Sequence, residues 1–296
     1  MKPIWIFIKL ILVKLMLFNS QIMRSTVLYF LILFCYSFLL AGCDSSKDRI
    51  EPEPEPVEEA TTVKVMTYNI WGARSGGIPG LQGLADVIKK ADPDLVALQE
   101  VDKFTSRNSQ NGDIAKELAE LTDMEYYFVK AINVSGGEYG DAILSKLPIK
   151  ETKGYRLTTT AELGGELRSV ARITVERDGK EFYFISTHLD HLSNEANRIH
   201  QAKELNAIIT DLDKPVILGG DLNARPDSET IGLLKQQLTM GCTNCQFTFP
   251  TSGANRTIDY LMYAPLNAIK VLNYQVFDYA SKESDHFPVV ATFEIK

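Results

Sequence analysis

The sequence predicts an α/β (α+β) four-layer sandwich, in which two packed mixed β-sheets are flanked by helices. Predicted strands outnumber predicted helices and do not alternate strictly with them, which argues against a Rossmann or TIM-type winding. The pattern is globular from Val63 to Lys296, with no internal repeat and no second linker, so residues 62–296 are predicted to be one domain. Of the 296 residues, 45% are hydrophobic and 23% charged, which suits a large core.

Residues 1–42 have the pattern of an export signal. Residues 26–40 are nearly all apolar and follow Arg24, as in the charged and hydrophobic regions of a signal peptide. The sequence Leu40-Ala41-Gly42-Cys43 resembles the lipobox of bacterial lipoproteins, which predicts lipidation of Cys43. A transmembrane anchor is the alternative, although the apolar run is short for a bilayer span. Met23 begins an ordinary signal by itself, so translation is predicted to start there.

Residues 43–61 are predicted to form an acidic tether between the lipidated cysteine and the folded domain. Glu and Pro alternate from Glu51 to Pro56, which cannot form a core and favours extended polyproline geometry. A disordered tail without that function is the alternative. With the lipid anchor, the tether predicts a domain held to a membrane of the bacterial cell envelope, on the non-cytoplasmic side.

The charge of the chain limits its partners. The formal net charge is -7 and the sequence pI is about 5.3, which argues against a protein that grips nucleic acid through a basic surface. An enzyme that meets phosphodiesters through a bound cation is still allowed, because the ion supplies local positive charge. No obligate protein partner is predicted.

Local patterns define the elements in chain order. The helix predicted over 81–91 has Leu84, Val87 and Ile88 on one face. Further helices are predicted over 114–121, with Asp113 as N-cap, over 194–212, and over 228–238, which begins like a capping box. Strands are predicted near residues 63–70, 95–98, 126–132, 141–145, 153–159, 168–177, 181–187, 215–218, 258–263, 270–277 and 288–295.

The stretch from Gly219 to Pro226 directly follows the apolar strand 215–218. Its paired glycines let the backbone turn sharply and approach another group closely. At a period of two, Asp221 and Asn223 point to the same side of the chain. A carboxylate and an amide at a strand end can hold a hard cation and phosphate oxygens. An Asx turn that closes the strand is the alternative, and this motif alone does not decide between them.

Other predicted strands also carry polar residues at their ends. Each has an ordinary explanation by itself, such as a turn, a solvated edge charge, a core histidine or an ion pair. Together they predict that side chains from several strand ends face a common rim. The set comprises Asn69, Gln99-Glu100, His188 with Asp190, Asp259 and Asp285-His286.

These motifs, in this order, resemble the endonuclease/exonuclease/phosphatase superfamily, whose members include pancreatic deoxyribonuclease, apurinic endonucleases, neutral sphingomyelinases and inositol polyphosphate 5-phosphatases. The resemblance covers the chain from about Val63 to its C-terminus and implies a deoxyribonuclease-like fold. Residues 187–191 and 167–170 look closest to the small bacterial branch. The motifs are Thr67-Tyr68-Asn69-Ile70, Leu98-Gln99-Glu100-Val101, Ser186-Thr187-His188-Leu189, Gly220-Asp221-Leu222-Asn223, Ile258-Asp259-Tyr260 and Ser284-Asp285-His286-Phe287-Pro288.

The resemblance implies a hydrolase of phosphoester bonds that uses in-line attack by an activated water. Glu100 would be the main ligand of Mg²⁺ or Mn²⁺, and Asn69 and Asp285 would complete or support the shell. His286 would orient or deprotonate the attacking water, with Asp259 holding its other ring nitrogen.

The resemblance also implies groups that act on the substrate. Asp221 would position the nucleophile, and Asn223 would donate its amide to the developing phosphorane oxygens. His188 would donate to a non-bridging oxygen or assist the leaving group. Arg168 and Asp190 are predicted substrate-binding residues.

Two features depart from this scheme or lie outside it. Many relatives carry asparagine at the position of Asp141, where an acid would repel a substrate phosphate or bind a second cation. Cys242 and Cys245 form a C-x-x-C loop with no second ligand pair for a zinc ribbon, and export favours a local disulfide over free thiols.

Three functions compete on these residues. The predicted one is the metal-dependent phosphoesterase, with nucleic acid, a phospholipid head group as in sphingomyelinases, or a small ester as substrate. A catalytically inactive binding module on the same fold is the alternative, which the retained polar set disfavours. A zinc hydrolase using His188 and His191 lacks a third ligand at suitable spacing.

Overall fold

The computed structural model describes residues 60–74, 80–107, 112–160, 162 and 164–296. The predictions about the signal peptide, the start at Met23, lipidation of Cys43 and the tether up to Ala60 fall outside these ranges or at their edge. The described residues form one compact unit. No helix in the described ranges is long and apolar enough to cross a membrane.

The described residues form two six-stranded sheets and four α-helices. The first sheet has the order β11-β12-β1-β2-β4-β3 and the second β5-β6-β7-β8-β10-β9, and the pairs β1/β2 and β7/β8 are parallel. The strands are β1 Thr61–Asn69, β2 Leu95–Lys103, β3 Glu125–Val134, β4 Gly137–Ser145, β5 Glu151–Leu157, β6 Arg168–Arg177, β7 Lys180–His188, β8 Val216–Asp221, β9 Thr239–Met240, β10 Asp259–Ala264, β11 Ile269–Val276 and β12 Val289–Ile295. The helices are α1 Gly80–Ala91, α2 Ile114–Thr122, α3 Ala196–Thr210 and α4 Glu229–Leu234.

Three apolar clusters hold these elements in four layers. Along β1, Val65 belongs to the cluster between the sheets and Met66 to the cluster under α1 and α2, because successive side chains of a strand point to opposite faces. The third cluster joins α3 and α4 to the second sheet through residues such as Leu205, Ile231 and Tyr260. The order helix, sheet, sheet, helix confirms the predicted sandwich.

Differences from the predicted elements have local causes. The strand predicted to end at Leu98 continues to Lys103 through a bulge, where the register with β4 shifts between Leu98 and Val101. Helix α4 ends at Leu234, four residues before the predicted end at Leu238. Ser228 does accept a hydrogen bond from the Ile231 amide (3.2 Å), but an apolar residue at that position cannot complete a capping box.

Candidate active site

The carboxyl ends of four central strands meet at one edge of the sandwich. Asn69 ends β1 and Glu100 follows on its parallel neighbour β2, while His188 ends β7 and Asp221 ends β8 in the other sheet. Because the two sheets pack face to face, these four ends converge. Asp259 opens β10 opposite Asp221 in the ladder.

A cavity of about 390 Å³ lies over these strand ends. Most of the predicted site residues line it, and Asn69 and Asp259 lie behind the lining, each hydrogen-bonded to a lining residue. The predicted site residues in the lining are Glu100, Arg168, His188, Asp221, Asn223, Asp285 and His286. The structure therefore brings together every predicted catalytic and metal-binding residue.

Glu100 reaches the cavity because β2 is distorted there. Its φ is 56°, in the left-handed region, within the bulge of β2. A non-glycine residue in this region is uncommon, and such strain gathers at functional sites. The bulge aims Glu100 at the cavity and Gln99 at the second sheet, where its amide donates to Ser186 Oγ (3.1 Å).

Asn69 connects two carboxylates of the site. Its buried amide nitrogen donates to Glu100 Oε1 at 3.1 Å and to Asp221 Oδ2 at 3.0 Å. Its amide oxygen accepts the backbone N–H of Trp71 at 3.0 Å. In this arrangement Asn69 supports the carboxylates, while its own oxygen is used by the turn that follows β1.

The stretch after β8 satisfies both interpretations of the sequence. The Asn223 N–H donates to Asp221 Oδ1 at 2.9 Å, which closes the strand as an Asx turn, and Asn223 adopts a φ of 47°. Both side chains nevertheless face the cavity. Gly220 permits this packing, because a Cβ there would lie 2.5 Å from the carbonyl oxygen of Thr187.

His286 forms a buried pair with Asp259. Its Nδ1 lies 3.0 Å from Asp259 Oδ2, and its Nε2 lies 3.7 Å from Asp221 Oδ2. Burial opposes charge on the ring, but the carboxylates of Asp259 and Asp221 outweigh it and raise the pKa of His286 to about 10. The ring of Phe249 packs against the imidazole, with centroids 4.5 Å apart. His286 is therefore an imidazolium at neutral pH.

The charge state of His188 differs from that of His286. Burial and then the positive charge of Arg168 lower the pKa of His188 well below its ordinary 6.5. Arg168 Nη1 lies 3.3 Å from His188 Nδ1. On the other side of the ring, Nε2 lies 2.9 Å from Asn223 Nδ2 and 3.5 Å from Asp221 Oδ2.

The guanidinium of Arg168 is largely committed to the protein. The side chain is only 2% exposed and contacts His188, His191 (3.0 Å), the Tyr139 hydroxyl (3.5 Å) and Glu166 (3.4 Å). It lines the cavity, as its predicted phosphate contact requires. The geometry adds a second role, which is to orient the two histidines.

Asp190 does not reach the cavity, contrary to the prediction of a substrate contact. Its carboxylate is fully buried and accepts backbone N–H groups from Glu166 (3.1 Å) and Leu192 (2.9 Å). Both oxygens are therefore used to hold two loops in place.

Asp141 is also placed away from the cavity. It lies between the sheets, 1% exposed, where it hydrogen-bonds to Ser169 Oγ. Burial raises the pKa of Asp141 to about 8. A neutral, buried acid neither repels a substrate phosphate nor binds a second cation there. Cys242 and Cys245 form the expected local disulfide, with Cα atoms 5.2 Å apart.

Residues 66–286 match the model of the Endonuclease/Exonuclease/phosphatase family. The chain belongs to this family. No curated protein matches the chain.

Solved structures of other members of the Endonuclease/Exonuclease/phosphatase family and of related proteins share the fold. A family protein from Beutenbergia cavernae is 22% identical with a TM-score of 0.65, covering 79% of this chain and 72% of its own. The mannosyl-6-phosphatase of Bacteroides thetaiotaomicron is 19% identical with a TM-score of 0.61, covering 78% of this chain and 99% of its own. The human Nocturnin catalytic domain with bound sulfate is 20% identical with a TM-score of 0.61, covering 79% and 95%.

The charges of this family member's site suit a divalent cation. Asp221 and Asp259 are each 1% exposed and share one imidazolium, so the buried cluster of His286 and two carboxylates carries a net negative charge when Asp221 is ionised. Burial and the charge of Asp259 raise the pKa of Asp221, because both disfavour a second negative charge in the cluster. Glu100 and Asp285 add further carboxylate oxygens to the cavity, the donors that Mg²⁺ and Mn²⁺ prefer.

Several lining residues were not predicted. Tyr139 and Phe249 contact the two site histidines, and each stands inside an ordinary strand or loop pattern that carries no signal of function. Arg74 pairs with Glu100 at 3.2 Å and Arg107 with Asp102 at 2.7 Å. Spacing in the sequence cannot show these contacts, because they depend on which loops meet over the cavity. The sequence indicates His191 only as a possible zinc ligand.

Proposed function

We propose that the protein is a divalent-cation-dependent hydrolase of phosphoester bonds, which uses a water molecule as nucleophile. The observation that supports it best is the buried pair of His286 and Asp259 facing Asp221 at the floor of a cavity that also holds Glu100. The family match and the fold shared with a mannosyl-6-phosphatase support the same chemistry.

The cation would be Mg²⁺ or Mn²⁺, held by Glu100 and Asp285 with Asn69 in support. When bound, it supplies positive charge that stabilises the phosphoryl oxygens and the leaving group. The ion pair of Arg74 with Glu100 keeps one carboxylate oxygen in place at the edge of the same site.

The charge states of Asp221 and His286 suggest which residue accepts a proton and which donates one. Asp221 would accept the proton of the attacking water, because burial raises its pKa toward the range where a carboxylate is an effective base. His286, already protonated, would donate from Nε2 to a phosphoryl oxygen rather than remove a proton. Asp259 keeps the imidazolium in this orientation through Nδ1.

Asn223 and His188 would stabilise charge on the opposite side of the phosphate. Asn223 is held by a hydrogen bond from its amide to the carbonyl oxygen of Leu189 (3.1 Å). Burial and Arg168 lower the pKa of His188, so it would act as a neutral imidazole that donates to a non-bridging oxygen or to the departing group.

A substrate panel tests the proposal. Bis-nitrophenyl phosphate, nitrophenyl phosphate, plasmid DNA, RNA and sphingomyelin are each incubated with Mg²⁺, with Mn²⁺ and with EDTA. We expect EDTA-sensitive turnover of at least one, and a loss of at least about 100-fold in Glu100→Gln and in His286→Ala, as when a transition-state donor is removed.

An exposed and a partly exposed residue provide matched controls for these variants. Glu120 pairs with Lys116 on α2, and His200 lies on α3, and neither lines the cavity. Glu120→Gln and His200→Ala should keep full turnover. Absence of turnover across the panel would instead support an inactive binding module, and full activity in either site variant would refute the assigned roles.

A further inference from the structure

Four arginines line the cavity, and three of them already have acceptors within the protein. Arg74 pairs with Glu100, Arg107 pairs with Asp102, and Arg168 contacts Glu166, Tyr139 and two histidines. The fourth is Arg256. Among the described residues, its guanidinium contacts only the ring of Phe249, 4.5 Å from the centroid, and no carboxylate.

The position of Arg256 is nevertheless fixed. Its guanidinium stacks on Phe249, and Phe249 packs against the imidazole of His286, also at 4.5 Å. Backbone hydrogen bonds between Arg256 and Phe249 hold the two residues together (3.0 Å). A half-buried cation is thereby held next to the catalytic histidine without a carboxylate from the described residues to neutralise it.

Arg256 also borders a second groove, of about 450 Å³, which continues from the catalytic cavity. The two depressions share His191, Asn223, Arg256 and Ile258 as a common wall. An extended substrate with its scissile phosphate over His286 can therefore continue past Arg256 into this groove.

The charges of this second groove favour an anion near Arg256. Arg225 is exposed, and no ion pair or side-chain hydrogen bond joins it to another described residue. Arg198 is used by the protein, since it donates to the carbonyl of Asp190 (3.0 Å). The groove also holds two acids, Glu195, which accepts the Thr230 N–H (3.0 Å), and Asp227, so its three arginines outnumber its acids by one.

We propose that the second groove binds a second anionic group of the substrate, through Arg256 and Arg225. The substrate class is then a phosphoester that carries another phosphate along the chain from the scissile one. A guanidinium offers several donors in a planar fork that fits phosphate oxygens. This inference rests on the proposed function, because it takes the scissile phosphate to lie over His286.

Calorimetric titration tests this without requiring turnover. The full chain in excess Mg²⁺ is titrated with propyl phosphate, hexyl phosphate and the matching propane-1,3-diyl and hexane-1,6-diyl bisphosphates. We expect at least one bisphosphate to bind about tenfold or more tightly than its monophosphate. Arg256→Gln and Arg225→Gln should each reduce that ratio at least threefold. Because Arg225 is exposed, its variant keeps the test valid if Arg256→Gln fails to fold.

Arg156 supplies the matched control, because it is an exposed arginine on the edge strand β5 and lines neither depression. Arg156→Gln should keep the full bisphosphate preference. The inference would be overturned if each bisphosphate bound no more tightly than its monophosphate at both spacer lengths. It would also be overturned if the preference for the bisphosphate survived in the Arg225→Gln/Arg256→Gln double variant. Turnover in the substrate panel without a bisphosphate preference would reject the second anion site alone, whereas preference without turnover would reject the hydrolase.

Discussion

The side-chain amide of Asn69 donates to Asp221 Oδ2 over 3.0 Å, although 152 residues separate the two in the sequence. This hydrogen bond crosses from the first sheet to the second and joins the carboxyl ends of β1 and β8. The same amide donates to Glu100. The proposed cation ligand Glu100 and the proposed base Asp221 are therefore held at one spacing by a single side chain.

Replacement of Asn69 by alanine should lower kcat by about 100-fold, comparable to the loss of one preorganised donor. The two carboxylates would repel each other without the bridging amide, so the base and the cation ligand would lose their relative position. Steady-state kinetics with Mg²⁺ measure the effect, and circular dichroism checks the fold. Asn273→Ala, at an exposed position of β11, is the control. Wild-type kcat in Asn69→Ala would contradict the argument.

The charge of His286 should depend on Asp259. Because its folded pKa is raised to about 10, the imidazolium stabilises the fold fully below the ordinary value of 6.5, and this stabilisation is lost as pH rises through about 10. In EDTA, the His286 ring should show no NMR titration from pH 6 to 8 in the wild type. In Asp259→Asn, it should titrate near neutrality because its main counter-charge is gone.

The partly exposed His200 provides an internal reference in the same spectra. Its ring resonances should be the same in the wild type and in Asp259→Asn, since it lies on α3 and not at the cavity. A His286 resonance that titrates near pH 6.5 in the wild type would remove the reason to assign proton abstraction to Asp221.

The sandwich and most of the site could be predicted because they depend on local patterns. Apolar runs such as 95–98 define buried strands, and polar residues close after such a run mark where the strand reaches the edge of the apolar core. Parallel pairing then brings the ends together, which explains why Glu100, His188 and Asp221 were found from the sequence. Their convergence around one cavity is what the fold adds.

The errors come from contacts that no local pattern contains. Asp190 and Asp221 both follow a strand, but backbone N–H groups from two loops use both oxygens of Asp190 and leave it buried. The charge states of His188 and His286 differ because one faces Arg168 and the other faces two carboxylates. Arg256 carried no sequence signal, since its place on Phe249 depends on how a loop folds back.

Arg168 should control the charge state of His188. Arg168→Met keeps much of the volume but removes the positive charge 3.3 Å from Nδ1, so the pKa of His188 should rise. We expect kcat/KM to fall 10- to 100-fold and its acidic limb to move to higher pH. Arg168→Lys keeps a positive charge, so its acidic limb should lie between those of the wild type and Arg168→Met. An unchanged pH profile in Arg168→Met would refute the control of the His188 charge by this arginine.

We also propose, from the sequence alone, that Cys43 is lipidated and holds the domain to the cell envelope. In a bacterial host, wild-type chain should incorporate an alkyne-labelled fatty acid and sediment with membranes. Cys43→Ser should lose the label and appear in the soluble periplasmic or extracellular fraction. Cys35→Ser is the control, because Cys35 lies inside the predicted signal. Label retained in Cys43→Ser would refute the assignment.

Asp141 is expected to be protonated at neutral pH because of its hydrogen-bond geometry. Ser169 Oγ lies within hydrogen-bond distance of both Asp141 Oδ2 and the carbonyl oxygen of Val129, yet a hydroxyl has one proton to donate. If Asp141 carries a proton, it can donate to Ser169, which in turn donates to Val129. Burial favours the same state by raising the pKa of Asp141 from 3.8 to about 8.

An asparagine at this position should therefore stabilise the protein at alkaline pH. Because the pKa of Asp141 is raised on folding, its protonated form stabilises the wild-type fold fully below pH 3.8. This stabilisation is lost as pH rises through about 8. Asparagine is neutral at every pH and can donate to Ser169, so the gain in unfolding free energy should grow between pH 4 and 8, on the order of a few kcal/mol, and then level off. Urea unfolding at a series of pH values measures it, with Asp278→Asn at an exposed position as control. A gain that is the same at pH 5 and pH 9 would mean that Asp141 is already ionised in the folded protein.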